Sequence, residues 1–258
     1  CALWSNQEAS PEELLEEVLQ VARILRRCRP SMAAIANCAR RIILGLDSLR
    51  QRLPAAISRE AWRMEIAAVI DQVRQEAIAS RRESLANAAA VISRVGTVAT
   101  CSYSSTVVEG ITQAYERNHR PQVIVIRSLS GSLSHGEKTR HELLGHGIGC
   151  RLLEDDFEAE DLDGIDAVIL GSDQLCRDGT IVNGYPSLRL AETAAAHHPP
   201  IPVYAISDRF KLNLDFTPVE VESGFEVIPS RLLTGIITED GTLAGPDIAV
   251  YAERHWPG

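Results

Sequence analysis

The chain has 258 residues, and its 26 Lys and Arg against 35 Asp and Glu give a formal net charge of −9 at pH 7. This acidic balance argues against a nucleic-acid partner, because binding along a phosphate backbone needs clustered cations. With 45% apolar and 24% charged residues, and no apolar run near the roughly 18–20 residues that cross a bilayer, we expect a folded cytoplasmic protein without a membrane partner.

The first third of the chain has the periodicity of α-helices. Ser10 and Glu13 form a capping-box pattern, with proline at the first helical position, which predicts that a helix begins there. A second helix is predicted from about Ser31 to Arg50. An apolar stripe from Ser58 to Ile92 predicts either one long helix or two helices in line. We therefore predict a helical N-terminal domain at residues 1–95.

After Gly96 the pattern changes to short β-branched runs that alternate with helical stretches. This alternation predicts a parallel sheet with helices on both faces, because parallel strands need crossover connections. We predict a Rossmann-like α/β domain at residues 96–258, with its ligand at the carboxyl ends of the strands. The predicted strands are Val98–Thr100, Val123–Ile126, Cys150–Leu153, Ala167–Leu170 and Val203–Ile206, and the predicted helices are Val107–Arg117, Lys138–Gly145 and Leu188–His197.

Two polar segments follow predicted strands. The segment TCSYSST (Thr100–Thr106) places hydroxyls between a strand and a helix, where backbone N–H groups attract phosphate. Capping of the helix by Ser104 or Ser105 is the alternative interpretation. Asp173 follows the fourth predicted strand and Gly171, a position suited to a general acid or base, although a capping role fits equally well.

The histidines and cysteines do not form a metal-binding pattern. His141 and His146 are five residues apart, whereas a zinc-binding helix needs histidines at i and i+4. The six cysteines include no CxxC pair, so we interpret them as free thiols. We therefore predict neither a metal site nor an organic cofactor.

Five segments carry a family resemblance through their order and spacing. They are RPSMAAIAN (Arg29–Asn37), TCSYSSTVVEGITQAYE (Thr100–Glu116), VILGSDQLCRDGTIVNG (Val168–Gly184), AISDRFK (Ala205–Lys211) and FEVIPSRLLTGIITEDGTLAGPDIA (Phe225–Ala249). Together they resemble the superfamily of ribose-1,5-bisphosphate isomerase, methylthioribose-1-phosphate isomerase and the alpha, beta and delta subunits of eukaryotic translation initiation factor 2B. The resemblance implies a helical domain on a Rossmann-like domain, and assembly as a homodimer or larger homo-oligomer.

The resemblance also implies functions for matching positions. Asp173 resembles the catalytic aspartate of the isomerases, and Arg29 resembles an arginine that contacts substrate. Asn183 matches the asparagine of an Asn-Lys pair in the family, whose lysine is replaced here by Gly184. Arg209 stands in place of a family lysine that follows the next strand.

The largest departure concerns the base. The catalytic cysteine of the isomerases aligns with Ser102, and Cys101 is its neighbour. A serine hydroxyl is a poor base unless another group activates it, because its pKa is far above that of a thiol.

Two functions remain open from the sequence. The first is an aldose–ketose isomerase, an intramolecular oxidoreductase, acting on a pentose 1-phosphate such as ribose 1,5-bisphosphate, with Asp173 as the acid and Cys101 or Ser102 as the base. The second is a non-catalytic protein, similar to initiation factor 2B, that binds a sugar phosphate or nucleotide and acts through oligomer contacts. The predicted binding residues are Arg29, Ser104, Ser105, Asn183 and Arg209.

Overall fold

The computed structural model describes residues 10–52, 58–127, 135–213 and 221–256. In these ranges the chain begins with three helices, α1 (Pro11–Cys28), α2 (Ala33–Arg52) and α3 (Arg59–Ile92). The capping box at the start of α1 is present, since the Ser10 hydroxyl accepts a hydrogen bond from the Glu13 N–H and the Glu13 carboxylate accepts one from the Ser10 N–H. The apolar stripe after Ser58 belongs to one helix of 34 residues.

The rest of the described chain forms two sheets and four further helices. The strands are β1 (Thr97–Cys101), β2 (Gln122–Ile126), β3 (Cys150–Leu153), β4 (Ala167–Leu170), β5 (Gln174–Leu175), β6 (Ile181–Gly184), β7 (Val203–Ile206), β8 (Phe225–Ile228), β9 (Gly235–Thr238) and β10 (Gly241–Leu243). The helices are α4 (Ser105–Glu116), α5 (His135–Gly145), α6 (Ser187–Ala196) and α7 (Ile248–His255).

The larger sheet has seven strands in the order β10-β9-β7-β4-β1-β2-β3, all parallel except β10. Alternate residues of its strands enter two separate apolar clusters, so both faces are covered, as in other parallel sheets. The α/β fold class, with helices first and a mainly parallel sheet after them, is confirmed. The division into domains at residue 96 stays a prediction.

The five predicted strands match β1, β2, β3, β4 and β7 within one residue at each end. Sequence reasoning missed the other five strands. Three of them, β5, β6 and β8, form a small antiparallel sheet beyond the end of β4.

The helices and the large sheet are joined near the start of α2. The Asn37 side-chain amide donates to two backbone carbonyls, those of Phe210 at 2.8 Å and Leu212 at 2.7 Å. The Ala33 N–H donates to the carbonyl of Asp173 at 3.1 Å. These bonds place the first turns of α2 over the carboxyl ends of β4 and β7.

Candidate active site

The central strands bring polar residues to one level at the carboxyl edge of the large sheet. Strand β4 pairs in parallel with β1 on one side and with β7 on the other. Continuing both pairing registers beyond the strand ends aligns Ser104, Asp173 and Asp208 with one another. Neighbouring parallel strands end at the same edge, so the register predicts a common site, and all three residues line one cavity.

This cavity has a volume of about 360 Å³, within the range of small-molecule sites. The sheet edge forms one wall, and α2 and α3 contribute the other. It brings together four residues that the sequence analysis selected and three that it missed. The selected residues are Ser104, Ser105, Asp173 and Asn183, and the missed residues are Arg81, Asp208 and Lys211.

Asp173 lies in this cavity with its backbone held on both sides. Its N–H donates to the Val182 carbonyl in β6 at 2.8 Å, and its carbonyl accepts from Ala33 in α2. Burial raises the pKa of the Asp173 carboxyl, while the charges of Lys211 and Arg29 act in the opposite direction. The net upward shift makes this group easier to protonate than an ordinary aspartate, which suits a proton donor.

Arg29 lies beside Asp173 at the turn before α2. Its charge lowers the pKa of Asp173, and its Nε is 3.3 Å from a carboxylate oxygen of Glu222. About half of the Arg29 side chain is exposed. The guanidinium is therefore partly neutralised by a carboxylate and partly exposed, but Arg29 is not among the residues that line the cavity.

Asn183 is oriented by a chain of buried hydrogen bonds. Its amide donates to the Ser187 hydroxyl at 2.8 Å, and that hydroxyl donates to the Gly184 carbonyl at 2.6 Å. The chain continues to the Cys101 thiol, whose sulfur is 3.3 Å from the Ser187 oxygen. This network fixes the Asn183 side chain in the cavity wall.

Cys101 does not fit the predicted role of a base. Its side chain is 2% exposed and packs in the core among apolar residues of β4 and α6. Burial raises the pKa of the Cys101 thiol to about 12, although the hydrogen bond between Cys101 and Ser187 opposes this shift. A neutral thiol buried in the core neither faces the cavity nor accepts a proton readily.

Ser102 and Gly184, the two departures from the isomerase pattern, contact each other. A Cβ atom added at Gly184 would lie 2.3 Å from the Ser102 Oγ, so this hydroxyl fills the space that a side chain at position 184 would need. Ser102 has a φ of 56°, which is uncommon for serine. Its carbonyl accepts a hydrogen bond from the Thr139 hydroxyl at 2.7 Å. A side chain at position 184 would therefore require Ser102 to move.

The hydroxyls of Ser104 and Ser105 have different partners. The Ser104 Oγ accepts from the Val107 N–H at 3.4 Å, so Ser104 caps α4, as the alternative interpretation predicts. The Ser105 Oγ accepts from the Arg81 guanidinium at 3.4 Å. Arg81 also pairs with Glu109, with one N–O distance of 2.7 Å. Ser105 therefore remains a candidate phosphate ligand, and Arg81 is a further candidate.

Arg209 is not directed into the cavity in the way that the sequence analysis expected. Its guanidinium lies 3.7 Å from the buried Glu239 carboxylate, and its carbonyl accepts from the Trp256 indole. Arg209 begins a short 3₁₀ turn that ends at Lys211, and of these two cations Lys211 is the one that lines the cavity. Positions two residues apart in such a tight turn face different directions, which explains the displacement.

Arg81, the missed residue on the helical wall, lies where polar residues interrupt the apolar stripe of α3. The Ser80 hydroxyl donates to Glu239 at 2.8 Å, and the adjacent Arg81 reaches the cavity.

In the described part of the chain, no group of three or more His, Cys, Asp or Glu side chains is arranged to hold a metal ion. None of the described helices is long and apolar enough to cross a bilayer.

Gly171 is expected to tolerate no side chain. A Cβ there would lie 2.5 Å from the Ser104 Oγ and 2.6 Å from the Ser104 Cβ. We expect Gly171→Ala to lower the free energy of unfolding by about 1–3 kcal/mol through overpacking, as measured by urea denaturation. Adding Ser104→Gly should restore most of the loss, since glycine at an N-cap costs only a few tenths of a kcal/mol. Equal stability of Gly171→Ala and the native chain would contradict this packing.

These features define an α/β protein with a small polar cavity at the carboxyl ends of its central strands, closed on one side by N-terminal helices. The sequence model of the initiation factor 2 subunit family matches residues 3–223, so the chain belongs to that family. The family resemblance predicted from the five segments is confirmed.

The following relatives of this chain represent two functional groups. Methylthioribose-1-phosphate isomerase of Herpetosiphon aurantiacus is 26% identical over 274 residues, covering 91% of this chain and 74% of that protein. A translation initiation factor eIF-2B subunit 2-like protein of Pyrococcus horikoshii is 27% identical over 261 residues, covering 95% and 88%. The crystal structure of translation initiation factor eIF-2B from Pyrococcus horikoshii OT3 superposes with a TM-score of 0.76 at 24% identity, covering 95% and 88% of the two chains.

Proposed function

We propose that the protein is a sugar-phosphate isomerase that converts an aldose 1-phosphate, such as ribose 1,5-bisphosphate or methylthioribose 1-phosphate, into the ketose. The observation that carries this proposal is the position of Asp173, whose burial raises its pKa, in a cavity that Lys211 also lines. Similarity to methylthioribose-1-phosphate isomerases supports the same reaction class.

The reaction requires an acid because the anomeric oxygen of the substrate is esterified. The ring cannot open to a free aldehyde, so a proton must be delivered to the ring oxygen as the bond from that oxygen to C1 breaks. Asp173 is suited to this step because its raised pKa favours the protonated form. A base must then remove the proton from C2.

The cations of the cavity are suited to the phosphate. Lys211 supplies a point charge, and Arg81, whose terminal nitrogens also bond Glu109 and Ser105, supplies a second cation. Arg29 does not line the cavity, but its charge acts on Asp173. Asn183 and the Ser105 hydroxyl complete the polar lining that we assign to the sugar hydroxyls and phosphate.

The direct test is turnover of ribose 1,5-bisphosphate and methylthioribose 1-phosphate by the purified protein, followed by NMR of the sugar carbons. We expect conversion of at least one of them to the ketose. The corresponding sugars without phosphate serve as controls and should remain unchanged. Lack of turnover across a panel of pentose and methylthiopentose 1-phosphates would refute the isomerase proposal.

A non-catalytic binding protein is the second candidate function. Ser102 and Gly184, which are in contact, stand where an isomerase is expected to have cysteine and lysine, and this favours a binding protein. The similarity to an eIF-2B subunit 2-like protein also favours it. In this case the cavity would sense a phosphorylated molecule and the protein would act through contacts within a homo-oligomer.

Thermal unfolding with these ligands should separate the two candidates. Binding to the native state stabilises it by about 2.7 kcal/mol at a ligand concentration of 100 Kd, whether or not chemistry follows. We expect both ligands tested above to raise the Tm, and Lys211→Met to remove most of the rise, because Lys211 lines the cavity. Arg74→Met, an exposed arginine paired with Asp71, is the control that should keep it. A Tm rise without turnover would select the binding protein.

A further inference from the structure

The proposed isomerisation requires a base close to Asp173. Cys101 is buried away from the cavity, and the Ser102 hydroxyl packs against Gly184. We infer that the carboxylate of Asp208 is the base that removes the C2 proton. This inference rests on the proposed isomerase function and specifies which group of the same cavity performs its second proton transfer.

The position of Asp208 supports this role. It follows β7, the strand next to β4, and aligns with Asp173 when the pairing register of β4 and β7 is continued. Its side chain is only 5% exposed, and it lines the cavity. Two carboxyl groups therefore approach a bound sugar from the ends of adjacent strands.

The surroundings of Asp208 also suit a base. Burial raises the pKa of Asp208, the charge of Lys211 lowers it, and Glu239 raises it. The Phe210 N–H, which donates to Oδ1 at 2.9 Å, and Arg81 act to lower it. The net upward shift makes the carboxylate more basic than an ordinary aspartate, which improves proton abstraction as long as the group is ionised.

The proton transfers balance without another reactant. Asp173 donates its proton to the ring oxygen, the bond from this oxygen to C1 breaks, and positive charge develops at C1. Asp208 takes the proton from C2, and the electron pair of that bond forms the C1–C2 double bond of an enol. The C2 hydroxyl then loses its proton to Asp173 while Asp208 returns its proton to C1. C2 is oxidised to the ketone and C1 is reduced to a methylene carrying the phosphate ester.

The alternative role of Asp208 is structural, because it caps the 3₁₀ turn Arg209–Lys211 through the Phe210 N–H. The variant Asp208→Asn distinguishes the role of base from the role of cap. Its amide oxygen can still accept this hydrogen bond, but it cannot take a proton from carbon.

The experiment compares kcat, ligand-induced Tm shift and chemical rescue in the full chain. We expect Asp208→Asn to lower kcat by about 10²–10⁴-fold while keeping the Tm shift with the sugar phosphate that the native protein converts. Asp208→Ala should regain part of its kcat on addition of formate, which supplies a small carboxylate base to the vacated space. Asp178→Asn is the matched control, because Asp178 is exposed and only caps a turn at Thr180.

The outcomes separate the inference from the proposed function. If the native protein has turnover and Asp208→Asn keeps kcat within about threefold, Asp208 is not the base. The same conclusion follows if Asp208→Ala binds the sugar phosphate but formate does not restore any activity, since that is the result of a structural role. If the native protein binds these sugars without turnover, the isomerase function itself fails, and the assignment of the base fails with it.

Discussion

Asp173→Asn is expected to lower kcat by about 10²–10⁴-fold, the usual contribution of a positioned general acid. Asparagine has nearly the same shape but cannot deliver a proton to the ring oxygen. The backbone contacts of Asp173 to β6 and α2 do not depend on the side chain, so the cavity should stay intact. Steady-state turnover and the ligand-induced Tm shift, measured on the same preparation, check this separation of chemistry from binding.

The same variant should be more stable than the native chain at neutral pH. Burial raises the pKa of Asp173 above that of an ordinary aspartate, so the folded state binds this proton more tightly than the unfolded state. Wild-type stability therefore rises as the pH falls through the folded pKa, and ionised Asp173 destabilises the fold above it. We expect Asp173→Asn to gain about 1 kcal/mol at pH 8, or roughly 2–4 °C in Tm.

This gain should disappear when the pH is lowered below the folded pKa, where the native side chain is also neutral. Thermal unfolding at a series of pH values between 4 and 8 measures it. Asp178→Asn, on an exposed turn, should show no such trend. A variant less stable than the native chain at pH 8 would contradict the burial of the charge.

Asn37→Leu is expected to lower the free energy of unfolding by about 2–4 kcal/mol, because it leaves two buried carbonyls without their donor. These are the carbonyls of Phe210 and Leu212, on either side of Lys211. The variant should therefore also weaken ligand binding, since Lys211 loses the support of its turn. Urea denaturation and the ligand-induced Tm shift measure the two effects.

Gln72→Leu is the matched control for this amide. The Gln72 amide donates to Glu76 on the exposed surface of α3, and exposed substitutions usually change stability by less than about 0.5 kcal/mol. If Asn37→Leu behaved like this control, the bonds between α2 and the sheet would not contribute to stability.

Five of the seven strands of the large sheet could be predicted from the sequence, and four of them, β1, β2, β4 and β7, are largely buried. Runs such as Ala167–Leu170 and Val203–Ile206 are continuously apolar and are followed within two residues by a serine, and their bounds coincide with β4 and β7. Strands β5 and β6 are only two and four residues long and are joined by a polar turn. Their pairing depends on contacts with β8, distant in sequence, and local patterns do not contain this information.

Part of the candidate site could also be predicted, because the ends of the buried strands are visible in the sequence. The rule that ligands bind at the carboxyl ends of parallel strands finds Asp173 after β4. Applied to β7, the same rule would have found Asp208 as well. It does not decide between Arg209 and Lys211, because the direction of each side chain depends on the 3₁₀ turn. Arg81 was missed because a polar residue in an amphipathic helix indicates exposure unless the partner facing it is known.

Lys211 links the protonation of both carboxyl groups, because its charge lowers the pKa of Asp173 and of Asp208. The chain contains only one other lysine, Lys138, whose ammonium lies 3.5 Å from the centre of the Tyr103 ring. Acetylation of Lys211 removes the positive charge, so both pKa values rise together. Acylation of this one nitrogen atom would thus change the pKa of the proton donor Asp173 and of the proton acceptor Asp208 at the same time.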